Sequence, residues 1–92
     1  MHLNVLARYM KTAGDANRIR IICYLMRTGE TCVSDIARDL KLSVATTSHH
    51  LQVMAKEELV VPVREGKRIC YKLPRTALMN GLKKFICAHA NI

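Results

Sequence analysis

Residues 41–56 read KLSVATTSHHLQVMAK and predict a capped helix with one apolar face and one short polar face. Ser43 is a good N-cap because its hydroxyl can accept from a backbone amide two or three residues further on. Thr47, Leu51 and Met54 recur at helical spacing and form the inward stripe. The other residues near the helix start are small or polar, as in a helix that enters the major groove of DNA.

The segments before this stretch repeat the same apolar spacing three times. We expect helices over residues 2–12 and 16–27, the second capped by Asp15 and ended by Thr28-Gly29. A third helix follows, and only three or four residues separate it from the fourth, as in a helix-turn-helix. The apolar positions of these helices are Leu3, Leu6 and Met10, then Ile19, Ile22, Cys23 and Met26, then Val33, Ile36, Ala37 and Leu40.

Residues 59–73 change to an alternating pattern and predict a β-hairpin with a glycine turn at Gly66. Because Pro62 cannot donate to a strand ladder, its strand is expected at a sheet edge. A last helix is predicted to start at Pro74. The alternating strand residues are Val61, Val63, Ile69, Tyr71 and Leu73, and the last helix carries Leu78, Leu82 and Phe85 on one stripe, with Met79 and Ile86 beside it.

The predicted architecture is a winged helix-turn-helix, mainly α, with five helices and a two-stranded wing in one domain over residues 1–92. The chain has 15 Lys and Arg against 7 Asp and Glu, a net charge of +8 that favours nucleic acid or an anionic membrane surface as partner. No apolar run approaches the ~20 residues that span a bilayer. The first 15 residues lack a signal-peptide layout, so we expect a cytoplasmic protein that does not enter a membrane.

The candidate DNA-binding residues lie on the fourth helix and on the wing. Hydroxyls can bond base edges or phosphates, apolar groups can contact the thymine methyl, and basic wing residues can follow phosphates or enter a minor groove. A solvated helix face is the alternative, whereas a metal site at His49 and His50 is disfavoured because adjacent helical positions point ~100° apart. The candidates are Ser43, Val44, Ala45, Thr46, Ser48, His49 and His50 on the helix, and Arg64, Lys67 and Arg68 on the wing.

Residues 13–73 resemble the ArsR/SmtB family of winged-helix repressors over nearly their whole length. The run Ser-His-His-Leu at residues 48–51, in register with both flanks, is a specific part of that resemblance. The resemblance implies a homodimer formed by the first and last helices, binding to an inverted repeat in double-stranded DNA, and an inducer that lowers DNA affinity from a second site. The other matching runs are NRIRI at 17–21, GE at 29–30, SDIA at 34–37, LS at 42–43, LV at 59–60, REGK at 64–67 and YKL at 71–73.

The same resemblance allows the metal sites of the family to be checked by residue. Its arsenic and cadmium sensors carry Cys-Val-Cys at the start of the third helix, where residues 32–34 read CVS and Ala37 replaces a third possible thiol. Because soft metals want two or three thiolates, we expect no metal site there. Zinc sensors place carboxylates and imidazoles on the last helix, but residues 66–92 contain no Asp or Glu and only His89. We therefore predict no metal ligands and no cofactor.

Two of the four cysteines, Cys23 and Cys87, lie where the sulfide- and redox-responsive members HlyU, BigR and SqrR carry theirs. Cations at helical spacing from both thiols are expected to promote the thiolate form. The resemblance implies a repressor switched by a Cys23–Cys87 link that forms with persulfide, polysulfide or an oxidant, although inert core cysteines are an alternative. We expect Cys32 and Cys70 to lie away from this pair and to stay reduced.

Two other functions stay open. One is a metal- or metalloid-responsive repressor that uses Cys32 or other thiols with His2 or His89. The other is an architectural DNA binder without an inducer. An enzyme is not predicted, because the chain has neither a glycine-rich phosphate loop nor a nucleophile-base-acid set.

Overall fold

Within residues 1–90, which the computed structural model describes, five α-helices and three β-strands follow one another in the order ααβααββα. The helices are α1 Leu3–Ala13, α2 Ala16–Thr28, α3 Val33–Leu40, α4 Val44–Lys56 and α5 Ala77–His89. The strands are β1 Thr31–Cys32, β2 Val61–Glu65 and β3 Arg68–Lys72. The predicted winged helix-turn-helix with five helices is confirmed.

Local capping sets the starts of α2 and α4. The amides of Asn17 and Arg18 donate to Oδ1 of Asp15 at 2.9 and 3.2 Å, and the amide of Thr46 donates to Oγ of Ser43 at 3.0 Å. Each contact satisfies backbone donors that a helix start leaves unpaired. The two caps predicted from the sequence are therefore confirmed.

The core lies where the apolar faces of α2, α3 and α4 meet. Thr47, Leu51 and Met54 are fully buried, as the stripe on the fourth helix predicted. The buried Thr47 hydroxyl donates to the carbonyl of Ser43 at 2.8 Å, so its burial leaves no unsatisfied group. The helix α2 is buried on most of its circumference, through Ile21, Ile22, Cys23, Tyr24 and Leu25.

The wing belongs to a three-stranded antiparallel sheet in the order β1-β3-β2. The edge position predicted for the strand with Pro62 is confirmed. The third strand, β1, was not predicted, because two residues are too short to show an alternating pattern. Its register sets Thr31 opposite Tyr71 and Cys32 opposite Cys70.

A glycine turn joins the two long strands of the wing. Gly66 has a φ of 62° and lies first in the two-residue loop between Glu65 and Arg68, as in a type II′ turn. The alternation predicted for β3 is wrong at Ile69, which is 40% exposed, while Cys70 is buried. The reason is that β1 and α3 pack on β3 and cover Cys70.

The last helix begins three residues later than the predicted start at Pro74. Thr76 caps α5, since its Oγ1 accepts from the amide of Met79 at 3.0 Å. Met79 and Ile86 face the core, whereas Phe85 is 56% exposed. No helix within residues 1–90 combines the length and the apolar character needed to cross a membrane.

The two terminal helices leave apolar side chains without a partner in the chain. On α1, Leu3 is 78% and Met10 is 57% exposed, although both belong to the predicted apolar stripe. On α5 the exposed Phe85 lies on the stripe predicted with Leu78, and its ring contacts that of His89 in a tilted arrangement with centroids 4.7 Å apart. Apolar surface of this kind marks a site of association.

Candidate nucleic-acid interface and thiol sites

The first turns of α4 present most of the candidate base-reading residues to solvent. Val44 is 57% exposed, Ala45, Thr46 and His49 are also exposed, and Ser48 is half-buried. Lys41 adopts a left-handed conformation with a φ of 58° and turns the chain sharply between α3 and α4. Because a helix N-terminus carries partial positive charge, this end of α4 is suited to face a polyanion.

His50 faces α2 rather than solvent. Its Nδ1 accepts from Nε of Arg18 at 3.0 Å, and Arg18 also donates to the carbonyl of Thr12 at 3.3 Å. In a neutral ring the proton then lies on Nε2, which is the atom left to donate to a phosphate. A phosphate contact by His50 stays a prediction, and it would have to use Nε2.

Three basic side chains gather on the wing, and all are exposed: Arg64, Lys67 and Arg68. Nη2 of Arg68 donates to Oδ2 of Asp35 at 2.9 Å and to Oγ of Ser34 at 3.4 Å, which links the wing to α3. Among the described residues, Arg64 and Lys67 form no ion pair. The positive charge of these two residues is therefore unneutralised within residues 1–90.

A groove of about 300 Å³ lies between the wing and the start of α4. Val44 and Ile69 contribute apolar surface to it, and Ser48 and Arg68 contribute hydrogen-bonding groups. Both elements predicted to contact DNA line this groove, so they are close neighbours in the fold. The remaining lining residues are Cys32, Val33 and Ser34.

Cys23 and Cys87, the predicted sensing pair, come from α2 and α5. Cys23 is buried and Cys87 is exposed. Burial raises the pKa of the Cys23 thiol, the charge of a Cys87 thiolate raises it further, and Arg27 lowers it. The two thiols are therefore within electrostatic range of each other. Arg27 therefore promotes the Cys23 thiolate as expected, but burial and Cys87 outweigh it and the net pKa is raised.

Cys32 and Cys70 lie opposite each other across β1 and β3, and their sulfur atoms are at disulfide distance. Both side chains are buried. The expectation that both cysteines stay reduced is wrong in this structure. The cause is the register of β1, which pairs residues that are 38 positions apart in the chain.

The carboxyl group of Glu65 lies beside this cysteine pair. Oε2 of Glu65 lies 4.0 Å from Sγ of Cys70. The pKa of Glu30 is raised, chiefly because its carboxyl group shares a hydrogen bond with Glu65. Desolvation and the charge of Glu65 also raise this pKa, whereas Lys72 lowers it.

Comparison with known proteins identifies the family. A family model described as "Bacterial regulatory protein, arsR family" matches residues 15–61, from the cap of α2 to the first residue of β2. The match includes the whole helix-turn-helix.

The chain belongs to the ArsR family.

Relatives and solved structures agree with this assignment. The cadmium resistance transcriptional regulatory protein CadC of Listeria innocua is 38% identical over 72 residues, which cover 78% of this chain and 60% of CadC. The homodimeric winged helix-turn-helix domain Mb0332 of Mycobacterium bovis, a possible ArsR-family regulator, superposes with a TM-score of 0.84 at 28% identity, covering 97% of this chain and 81% of that one. HlyU of Vibrio cholerae shares the fold with a TM-score of 0.84 at 22% identity, covering 99% and 100%.

Three contacts in and beside the candidate site were missed by sequence reasoning. Asp35 orients Arg68, Arg18 orients His50, and Cys70 pairs with Cys32. Asp35 and Arg18 lie in runs that resemble the family, but a contact more than 30 residues away leaves no local pattern. The pairing of Cys70 with Cys32 becomes apparent only when β1 is aligned with β3.

Proposed function

We propose that this chain is a transcriptional repressor of the ArsR family that binds double-stranded DNA as a homodimer through α4 and the wing. The observation that carries the proposal is the exposed start of α4 beside the wing cations, within the helix-turn-helix of this family. Family membership also favours a DNA-binding regulator over an enzyme.

The unpartnered apolar residues of α1 and α5 support the dimer. A two-fold axis through these helices would cover Leu3, Met10 and Phe85, which are all more than half exposed in the single chain. The similar Mb0332 domain is described as homodimeric. A two-fold dimer carries two reading helices related by the same axis, so its operator is expected to be an inverted repeat.

Different parts of the interface should make different contributions to binding. Lys67 at the wing tip should contact phosphates, which supply affinity without reading sequence. Ser48 and His49 on α4 should approach base edges, which supply the discrimination between sequences. These two roles can be separated by measuring both the salt dependence and the specificity of binding.

Lys67→Ala should weaken binding to all duplexes alike and reduce the salt slope by about 1. Ser48→Ala should instead lower discrimination between a selected operator and random DNA by up to about 1–3 kcal/mol. Fluorescence anisotropy with both duplexes over a range of salt concentrations measures the two effects. The operator duplex can be selected from a random-sequence pool with the parent protein.

Lys56→Ala is the matched control, because this exposed lysine lies at the other end of α4. We expect it to change the salt slope much less than Lys67→Ala. Equal, sequence-independent losses for Lys67→Ala and Ser48→Ala would contradict the assignment of wing and reading helix.

The inducer response is proposed to reside in Cys23 and Cys87. Their electrostatic proximity supports a link between α2, in the core of the reading unit, and α5, at the expected dimer interface. A peroxide would oxidise both thiols to a disulfide by taking two electrons and two protons, and would leave as water. A polysulfide would supply bridging sulfur, accept the same electrons and protons, and leave as hydrogen sulfide. Such a link would change the spacing of the two α4 helices in the dimer.

Treatment with polysulfide should weaken operator binding of the parent protein by roughly 5–150-fold, the usual range of allosteric coupling. Cys23→Ser and Cys87→Ser should each bind the operator normally but no longer respond. Mass spectrometry should find added sulfur joining the peptides that contain the two cysteines. The control Cys32→Ser should keep the response, and a persisting response in the Cys23→Ser/Cys87→Ser variant would exclude this pair as the sensor.

A further inference from the structure

We propose that Cys32, Cys70 and Glu65 form a binding site for a thiophilic divalent cation, Zn²⁺ or Cd²⁺, at the base of the wing. The two sulfur atoms and a carboxylate oxygen of Glu65 all lie within 4.8 Å of one another. A tetrahedral Zn²⁺ has bonds of about 2.3 Å to sulfur and about 2.0–2.2 Å to oxygen, so its ligand atoms lie roughly 3.3–3.8 Å apart. Small side-chain movements would therefore suffice to form the site.

Strand register brings the three ligands to one face of the sheet. Cys32 lies opposite Cys70 across β1 and β3, and Val63 lies opposite Cys70 across β2 and β3. Glu65 is two residues beyond Val63, so its side chain is on the same face. Cys32 is also the N-cap residue of α3. A bound ion would therefore join α3 to both long strands of the wing, β2 and β3.

The donor set determines which ion would bind. Two thiolates and one carboxylate favour a soft or borderline cation, whereas Mg²⁺ and Ca²⁺ prefer oxygen ligands alone.

The site is accessible from solvent. Cys32 is 8% exposed and lines the groove between the wing and α4, and Glu65 is an exposed residue. An ion can therefore reach the Cys32 thiol and the Glu65 carboxylate without unfolding of the core. Binding requires both cysteines to be reduced, because a disulfide would remove the two thiolate donors. The site is separate from Cys23 and Cys87 and does not depend on their response.

The test is a titration of the reduced chain with Cd²⁺ in the absence of oxygen and with a phosphine reductant. Binding is followed by the thiolate-to-cadmium absorption band. A competing chelator gives the affinity. We expect one ion per chain, and a second titration with Zn²⁺ should displace the cadmium signal. Glu65→Gln should weaken Cd²⁺ binding by at least roughly tenfold, and Cys32→Ser should weaken it by more than roughly 100-fold, since even residues outside the ligand set cost 10–100-fold.

The matched control is the Cys23→Ser/Cys87→Ser variant, which should bind Cd²⁺ as tightly as the parent. Protein oxidised to the Cys32–Cys70 disulfide should lose the absorption band. Glu65→Gln alters an exposed side chain, so it tests the site even if a cysteine variant folds poorly. Unchanged affinity in Glu65→Gln, or a loss confined to the Cys23→Ser/Cys87→Ser variant, would overturn the proposal. Neither result depends on whether the chain binds DNA.

Discussion

Phe85→Glu should convert the proposed dimer into monomers and weaken binding to a selected inverted-repeat duplex by roughly 10²–10⁴-fold, the gain that joining two binding modules typically brings. Phe85 is 56% exposed on α5 and would be buried against the partner chain. Placing a carboxylate in an apolar interface carries a desolvation penalty. Sedimentation velocity at micromolar concentration and anisotropy with the same duplex measure both effects.

Asn80→Glu is the matched control, because it adds the same charge to an exposed position of the same helix. Asn80 lies about 140° around the helix from Phe85, outside the apolar stripe. We expect this variant to remain dimeric and to bind DNA within a few-fold of the parent protein. A Phe85→Glu variant that sediments as a dimer would show that α5 is not the interface.

Leu51→Ala should lower the free energy of unfolding by about 2–5 kcal/mol. Leu51 is fully buried on α4, where the apolar faces of the reading unit meet. A small domain has a total stability of roughly 5–15 kcal/mol, so this loss would remove a large part of it. Urea denaturation followed by circular dichroism measures the change, at one fixed protein concentration because dimerisation contributes to apparent stability.

Val44→Ala provides the comparison on the same helix, since Val44 is 57% exposed. Its effect on stability should stay within about 0.5 kcal/mol, as for other surface positions. If Leu51→Ala cost no more than Val44→Ala, the buried stripe on α4 would not be the centre of the core. Such a result would also remove the basis for assigning the opposite face of α4 to DNA.

Features that depend on a single segment of the chain could be predicted from the sequence. The cap at Ser43 and the stripe of Thr47, Leu51 and Met54 lie within one helix, and the structure confirms both. The glycine turn of the wing was equally local, because Gly66 supplies the positive φ that the turn requires. These elements define the winged helix-turn-helix and the position of its reading helix.

Features that depend on pairing between distant segments could not be predicted. The short strand β1 becomes visible only when it adds to β3, and this addition buries Cys70 and leaves Ile69 exposed. The predicted start of α5 at Pro74 was wrong because the Thr76 hydroxyl provides a better cap two residues later. The identity of the residues that contact DNA remains a prediction, since pattern alone does not show a bound partner.

The ion pair between Arg68 and Asp35 has a consequence for the entropy of DNA binding. A long side chain that becomes immobile at an interface costs about 0.5–1.5 kcal/mol in lost rotamer freedom. Asp35 already holds the guanidinium of Arg68 at 2.9 Å, and α3 in turn fixes the position of Asp35. For the proposed phosphate contact of Arg68, part of this ordering cost is therefore already incurred when the chain folds, because Asp35 holds the side chain in a preorganised position.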